Sequence, residues 1–227
     1  MAESKFPPEN IFSGLPPEIS RVLFAKARIV SLAADQILFL AGDEGDGCYR
    51  VEEGLLKASV AAAHGGERIL AIFGPSTVVG ELSMIDRATR SASVSALRES
   101  KLCFVSRADF EVVAQSTPEV YRHITAVLAR RLRNTNTALV ATNFLSVKGR
   151  VAYALLSLAE GFGKDVGSGR ILIRQKVSQS DLAAMAGIAR ENVSRVLKDW
   201  TTRSLVSRLA GYYCLESKTA IDREAEL

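Results

Sequence analysis

The chain has few of the residues that metal and redox chemistry use. Its three cysteines, Cys48, Cys103 and Cys214, are odd in number, widely separated and without a CxxC pair. That argues against a disulfide framework, a structural zinc site and a cysteine-ligated iron–sulfur cluster, and buried thiols are the simpler expectation. Only two histidines occur, His64 and His123. The first lies in AAAHGGER, the composition of a hairpin tip, and neither is expected to hold a metal or a haem. No run approaches the ~18 uninterrupted apolar residues of a membrane-spanning helix, and MAESKFPPEN lacks a signal peptide's apolar core. A cytoplasmic protein without membrane contact is expected. There is no Ser–His or Cys–His arrangement with suitable partners and no catalytic Gly-rich loop, so an enzyme is the least favoured class, with no catalytic residue assigned.

What is present is the balance of a soluble globular chain: 48% hydrophobic and 24% charged residues in 227. The net charge of +4 is unevenly placed. Residues 146–217 hold 11 Lys and Arg against 6 Asp and Glu, which leaves 18 against 19 elsewhere. The second region carries the positive charge that a polyanion-binding module needs.

From Ile29 to Val105 short runs bounded by Gly, Asp and Pro have strand character: ARIVSL, QILFLA, GCYRVEEG, LLKASVAAA, ERILAIF, SASVSAL and SKLCFVS. With turns such as GDEGDG and HGGE between them, they predict an antiparallel barrel or jelly roll. A helix after Pro17 should pack on it. Strand alternation stops at Ser106, and from Pro118 to about Leu145 no Gly or Pro interrupts until Gly149, which predicts a helix of ~40 Å. Leu128, Leu132, Thr135, Leu139 and Thr142 recur there at heptad spacing, the rhythm of a helix that pairs with its own copy, so a homodimer is expected. Thr135, with Asn136 beside it, is either a register-setting polar residue or a ligand contact.

After Gly149 the chain reads helix, loop (GKDVGSG), strand (RILIR), two helices around Gly187, and a strand pair, LVSRLAG and YYCLES. This is the layout of a winged helix-turn-helix, making the whole an α+β protein. The charged tail after Lys218 is expected to fray.

Two constellations carry chemistry. In the second helix of the pair, Arg190, Glu191, Ser194 and Arg195 occupy the first two turns, where a recognition helix meets base edges. Arg reads guanine O6 and N7, and Glu accepts from the cytosine amino group. Ser178 and Gln179, at the start of the preceding helix, are candidates for phosphate contacts, and Ser178 with Asp181 resembles a capping box. The other constellation is GELSMIDRATRSASV, residues 80–94. A turn presenting amides near Gly80 and Ser91, with Arg90 beside them, suits a phosphate, the amides and the Ser91 hydroxyl donating and the guanidinium supplying charge. A directly bound phosphate would repel Glu81, so its carboxylate better accepts from a sugar hydroxyl. A Glu81–Arg90 salt bridge across the turn is the alternative.

From about Ile11 to Ser217 the chain resembles the Crp/Fnr family of bacterial transcription regulators, through GELSMIDRATRSA and through RRLRNTNTALVATNFLSVKGR. The first is similar to the phosphate-binding cassette of members that bind cyclic nucleotides. The resemblance implies that Glu81 holds the ribose 2′-hydroxyl, that Arg90 and Ser91 hold the cyclic phosphate, and that the Gly80–Leu82 backbone contributes. The second is similar to the dimerisation helix and hinge, which implies Thr135 on the purine and Arg131 as a further ligand-side residue. Asn136 stands where the cyclic-AMP-responsive branch has a serine from the partner subunit, so the ligand is cAMP or cGMP. Arg190, Glu191 and Arg195 match that branch's base readers, which implies a palindromic double-stranded DNA operator with TGTGA-like half-sites, while Ser194 matches the fumarate–nitrate branch. Ala189 replaces a helix-capping serine, and the cysteine cluster of oxygen sensors is missing. RNA polymerase is the implied downstream partner. The implied domains are a barrel (1–117), a dimerisation helix with its hinge (118–146, bending near Val147–Gly149) and the winged helix-turn-helix (147–227). A vestigial pocket serving another signal, and a cyclic-nucleotide-binding subunit that docks a protein, are the other readings.

Overall fold

The computed structural model describes residues 17–61 and 66–226. His64, expected at a hairpin tip, lies outside the described residues. The described chain forms two compact units divided between Leu132 and Arg133.

The first unit begins with helix α1 (Pro17–Phe24), whose proline occupies the position where a missing N–H costs nothing. An antiparallel sheet follows, built from β1 (Arg28–Leu32), β2 (Ile37–Phe39), β3 (Gly47–Ala61), β4 (Glu67–Phe73), β5 (Val78–Val79) and β6 (Ser93–Ser106). Its order is β1-β6-β3-β4, with β2 on β6 and β5 on β3, and Tyr49 faces Phe104 across the central pair. The runs GCYRVEEG and LLKASVA are one continuous strand, not two. Gly54 bends it at φ +103°, where a Cβ would stand 2.0 Å from Ser100 Oγ; the Leu55 amide donates to that same hydroxyl at 3.1 Å. SASVSAL and SKLCFVS are likewise fused into β6. Inside the sheet lie Val51, Leu56, Val94, Ala96 and Leu102.

The expected turn after Gly80 is a one-and-a-half-turn helix, α2 (Glu81–Asp86), with Gly80 and Arg87 both left-handed at its ends. Helix α3 (Arg107–Ser116) starts at Ser106, whose hydroxyl accepts from the Asp109 amide at 3.1 Å. Helix α4 (Glu119–Phe144) has the anticipated length. Its Val120, Ile124 and Val127 are buried with Leu23, Met84 and Phe110. Leu128, placed in the heptad stripe by its spacing, packs partly into this same core, because the first half of α4 spends its apolar face on its own unit. Leu132 and Leu139 are 64% and 60% exposed in the protomer. The side chain of Thr142 lies outside the described residues.

The second unit contains α5 (Val147–Phe162), β7 (Gly163–Asp165), β8 (Ile171–Ile173), α6 (Gln179–Ala186), α7 (Arg190–Thr202), β9 (Val206–Leu209), β10 (Tyr212–Leu215) and α8 (Lys218–Glu224). Its sheet runs β7-β8-β10-β9. The expected hinge at Val147–Gly149 is the first turn of α5 instead. Ser146 caps it by accepting from the Gly149 amide at 3.1 Å, so the break from α4 is confined to Leu145 and Ser146. Part of the GKDVGSG loop is strand β7. The tail is not frayed: Ser217 caps α8, and Ile221 is fully buried.

Candidate functional site

In the first unit Arg90 is the centre of a built site. The residue is 5% exposed. Its Nη1 donates to Gly47 O at 2.9 Å, Gly80 O at 2.5 Å and Ser83 Oγ at 2.7 Å, and its guanidinium lies 4.3 Å from the centre of the Phe39 ring. Its backbone is held from both sides, Arg90 N donating to Asp43 O and Gly42 N to Arg90 O, each at 2.8 Å. Glycine is required nearby. Gly80 has φ +79°, and a Cβ there would meet Arg90 Nη1 at 2.5 Å.

Among the described residues Arg90 makes no salt bridge, and its Nε is buried with no hydrogen-bond partner. Burial pushes its pKa down, opposed by Tyr49 and Asp46, but a guanidinium stays charged at any physiological pH. A buried guanidinium that no carboxylate contacts directly costs on the order of several kcal/mol, which the field of Asp46 and Glu81 only partly offsets, and an anion would relieve that cost. The Glu81–Arg90 pair that the sequence allowed is not formed. Glu81, itself 5% exposed, hydrogen-bonds and ion-pairs with Arg131 Nη1 from α4. Ser91 is exposed beside Arg90, and Leu82 is 42% exposed. Thr135 and Asn136 are exposed on α4 one turn beyond Arg131 and belong to the other unit. Sequence reasoning missed Ser83, Phe39 and Gly47 as partners of Arg90; GDEGDG had the signature of a turn, and nothing in its spacing says which side chain it would hold.

In the second unit α7 is two-faced. Val193, Val196, Leu197 and Trp200 are buried, while Arg190, Glu191, Ser194 and Arg195 are exposed. Arg195 Nη2 donates to Asn192 Oδ1 at 2.5 Å, a partner the sequence did not flag. Ala189 offers no side-chain cap. Ser178, by contrast, is committed locally: its Oγ accepts from the Asp181 amide at 3.0 Å and donates to Asp181 Oδ2 at 2.6 Å, and its own amide donates to that carboxylate. The following turn closes at Gly187, φ +64°. No cluster of three or more His, Cys, Asp and Glu suited to a metal occurs among the described residues, and no described helix is long and apolar enough to cross a membrane.

Residues 29–117 match the family model of a cyclic nucleotide-binding domain and residues 149–220 that of a Crp-like helix-turn-helix domain. Over 217 residues, 96% of this chain and 93% of the relative, the sequence is 32% identical to the CRP-like cAMP-activated global transcriptional regulator of Mycobacterium tuberculosis. It is 34% identical over 187 residues to the cyclic AMP receptor protein of Thermus thermophilus, covering 82% of this chain and 83% of that one. Among solved structures, FixK2 from Bradyrhizobium japonicum superposes with a TM-score of 0.78 over 88% of this chain and 98% of its own, at 20% identity, a likeness of fold. The catabolite activator protein of Thermus thermophilus gives 0.54 at 30% identity, over 95% and 97%.

Proposed function

Because the chain belongs to the Crp/Fnr family of transcription regulators, we propose that it is a homodimer whose hold on double-stranded DNA is set by a cyclic nucleotide, cAMP or cGMP. It is a regulator and not an enzyme. The observation that carries the nucleotide reading is Arg90: a buried guanidinium, cradled by two carbonyls and a hydroxyl, with an unpartnered Nε and no salt bridge among the described residues. A cyclic phosphate supplies a direct counter-charge and accepts from the guanidinium and from Ser91, with the Gly80–Leu82 backbone alongside. Glu81 accepts from the ribose 2′-hydroxyl. Arg131, Thr135 and Asn136 face the rest of the ligand.

Nucleotide binding acts only through its preference for one arrangement of the dimer. In that arrangement the two α7 helices stand about 34 Å apart, one DNA turn, across a palindrome of TGTGA-like half-sites. Arg190, Glu191 and Arg195 read bases, with Ser194 beside them. Ser178 and Gln179 lie toward the phosphates, and RNA polymerase is the partner that turns DNA binding into regulation.

A second reading is favoured by one feature, the Arg131–Glu81 pair. It occupies the ribose acceptor, as a pocket that has lost its ligand would. Calorimetric titration with cAMP and separately with cGMP decides between the two. Micromolar binding of one nucleotide, abolished in Arg90→Ala, is the expected result. Absence of heat with both, at two temperatures, would leave a family regulator that answers another signal.

A further inference from the structure

Arg107 opens α3, and its guanidinium turns back onto the two segments that cradle Arg90. Its Nη2 donates to Gly45 O and to Ser83 O, the second at 2.8 Å, while its amide donates to Asp46 O at 2.6 Å. Its Nε is buried with no hydrogen-bond partner. Among the described residues it makes no salt bridge: Asp109, two positions on, accepts instead from Ser106 Oγ at 2.5 Å. The charge of Arg107 is therefore spent on backbone carbonyls. Both carbonyls belong to segments that Arg90 uses. Ser83 Oγ accepts from Arg90 Nη1 at 2.7 Å, and Gly47 O, two residues after Gly45, accepts from the same nitrogen at 2.9 Å. The two segments meet closely, since a Cβ on Gly45 would stand 2.1 Å from Ser83 Oγ and 2.8 Å from Arg90 Cζ.

We propose that Arg107 is a positioning residue for the phosphate site, holding Ser83 and the Gly45–Gly47 segment where they grip one nitrogen of the Arg90 guanidinium and leave its Nε for the anion. The inference rests on the nucleotide reading above and deepens it. Arg107 touches no ligand atom and acts through the acceptors of Arg90. A binding guanidinium has to be held within about 0.5 Å of its working position, and two of the three acceptors of Arg90 sit on the segments that Arg107 ties. Two features favour this role over simple packing. A charged donor makes a hydrogen bond about twice as strong as a neutral one, so Arg107 is a firm tie. Its anchor is also independent of the segments it holds, because α3 is fixed by Phe110 and Val113 in the core that receives Val120 and Ile124 of α4.

The test is calorimetric titration of the full-length protein with cAMP and separately with cGMP, on the wild type, Arg107→Met, Arg107→Lys, Ser83→Ala and the Arg107→Met/Ser83→Ala double variant, each first melted without nucleotide to show that it is folded. Arg107→Met keeps the stem and removes the donor, and should weaken binding by about 10- to 100-fold, the loss of a charged hydrogen bond. Arg107→Lys keeps a charged donor and should stay within about threefold of wild type. In the Ser83→Ala background Arg107→Met should cost less than it does alone, because the hydroxyl through which it acts on Arg90 is gone. Arg107→Gln, which retains a neutral donor, replaces the methionine variant if that one does not fold, and should lose about tenfold. Wild-type affinity in the folded methionine or glutamine variant overturns the inference and leaves the nucleotide reading intact. So does a loss that lysine does not recover, or one that multiplies in full with that of Ser83→Ala. A wild type that binds neither nucleotide removes the nucleotide reading itself, and the inference with it.

Discussion

Single residues decide whether the Arg90 site can exist. Gly80 combines a left-handed backbone with a neighbour that leaves no room for a Cβ. Gly80→Ala should therefore destabilise the protein by about 1–3 kcal/mol and push the guanidinium off its carbonyls. Urea denaturation should show the first effect and nucleotide titration the loss of binding. Glu81→Gln separates the two roles of that carboxylate, as ion-pair partner of Arg131 and as acceptor for a sugar hydroxyl. It removes the Arg131 ion pair but leaves an amide that still accepts from a hydroxyl, so affinity for nucleotide should fall by no more than about tenfold, whereas Arg90→Ala should abolish it. Arg90, Glu81 and Ser91 stand out in the sequence because a carboxylate and a guanidinium beside a Gly are surplus to an apolar core. The Glu81–Arg131 pair was not, since the partners are 50 positions apart and only folding brings α4 against α2.

Elements show where local chemistry was enough. The Ser178–Asp181 capping box and the left-handed Gly187 are written in the sequence and appear as hydrogen bonds at the start and end of α6. Ser178→Ala should cost about 1 kcal/mol of stability, read as a fall in melting temperature. Its hydroxyl neutralises no phosphate, so the salt slope should not move; unchanged DNA affinity in the folded variant would mark the hydroxyl as a cap alone, whereas an equal loss on every duplex would give it a phosphate contact as well. Other boundaries were misplaced for physical reasons. Gly54 has the form of a strand terminus, but in β3 it is a bend that admits Ser100. The stretch Val147–Gly149 suggests a hinge through its glycine, yet Ser146 caps a helix there and Gly149 gives room against the Glu224 carbonyl, 3.0 Å from where a Cβ would sit. The tail after Ser217 has the charge of a frayed end, and one buried residue, Ile221, turns it into α8.

At the scale of the whole molecule the open question is the partner of α4. Its exposed Leu132 and Leu139 fit a helix paired with its own copy, and Leu132→Asp with Leu139→Asp should convert a dimer to monomers in sedimentation velocity, with operator affinity lost in parallel. The sequence alone determined that the first part is antiparallel sheet, that a long helix follows, and that the chain ends in a helix-turn-helix with a hairpin, because periodicity, capping and glycine placement are local properties of the chain. Tertiary structure alone decided that Arg90 is buried without a salt bridge and that Arg131 sits on Glu81. Those facts depend on which distant segments exclude water from a given side chain, and no local spacing encodes that.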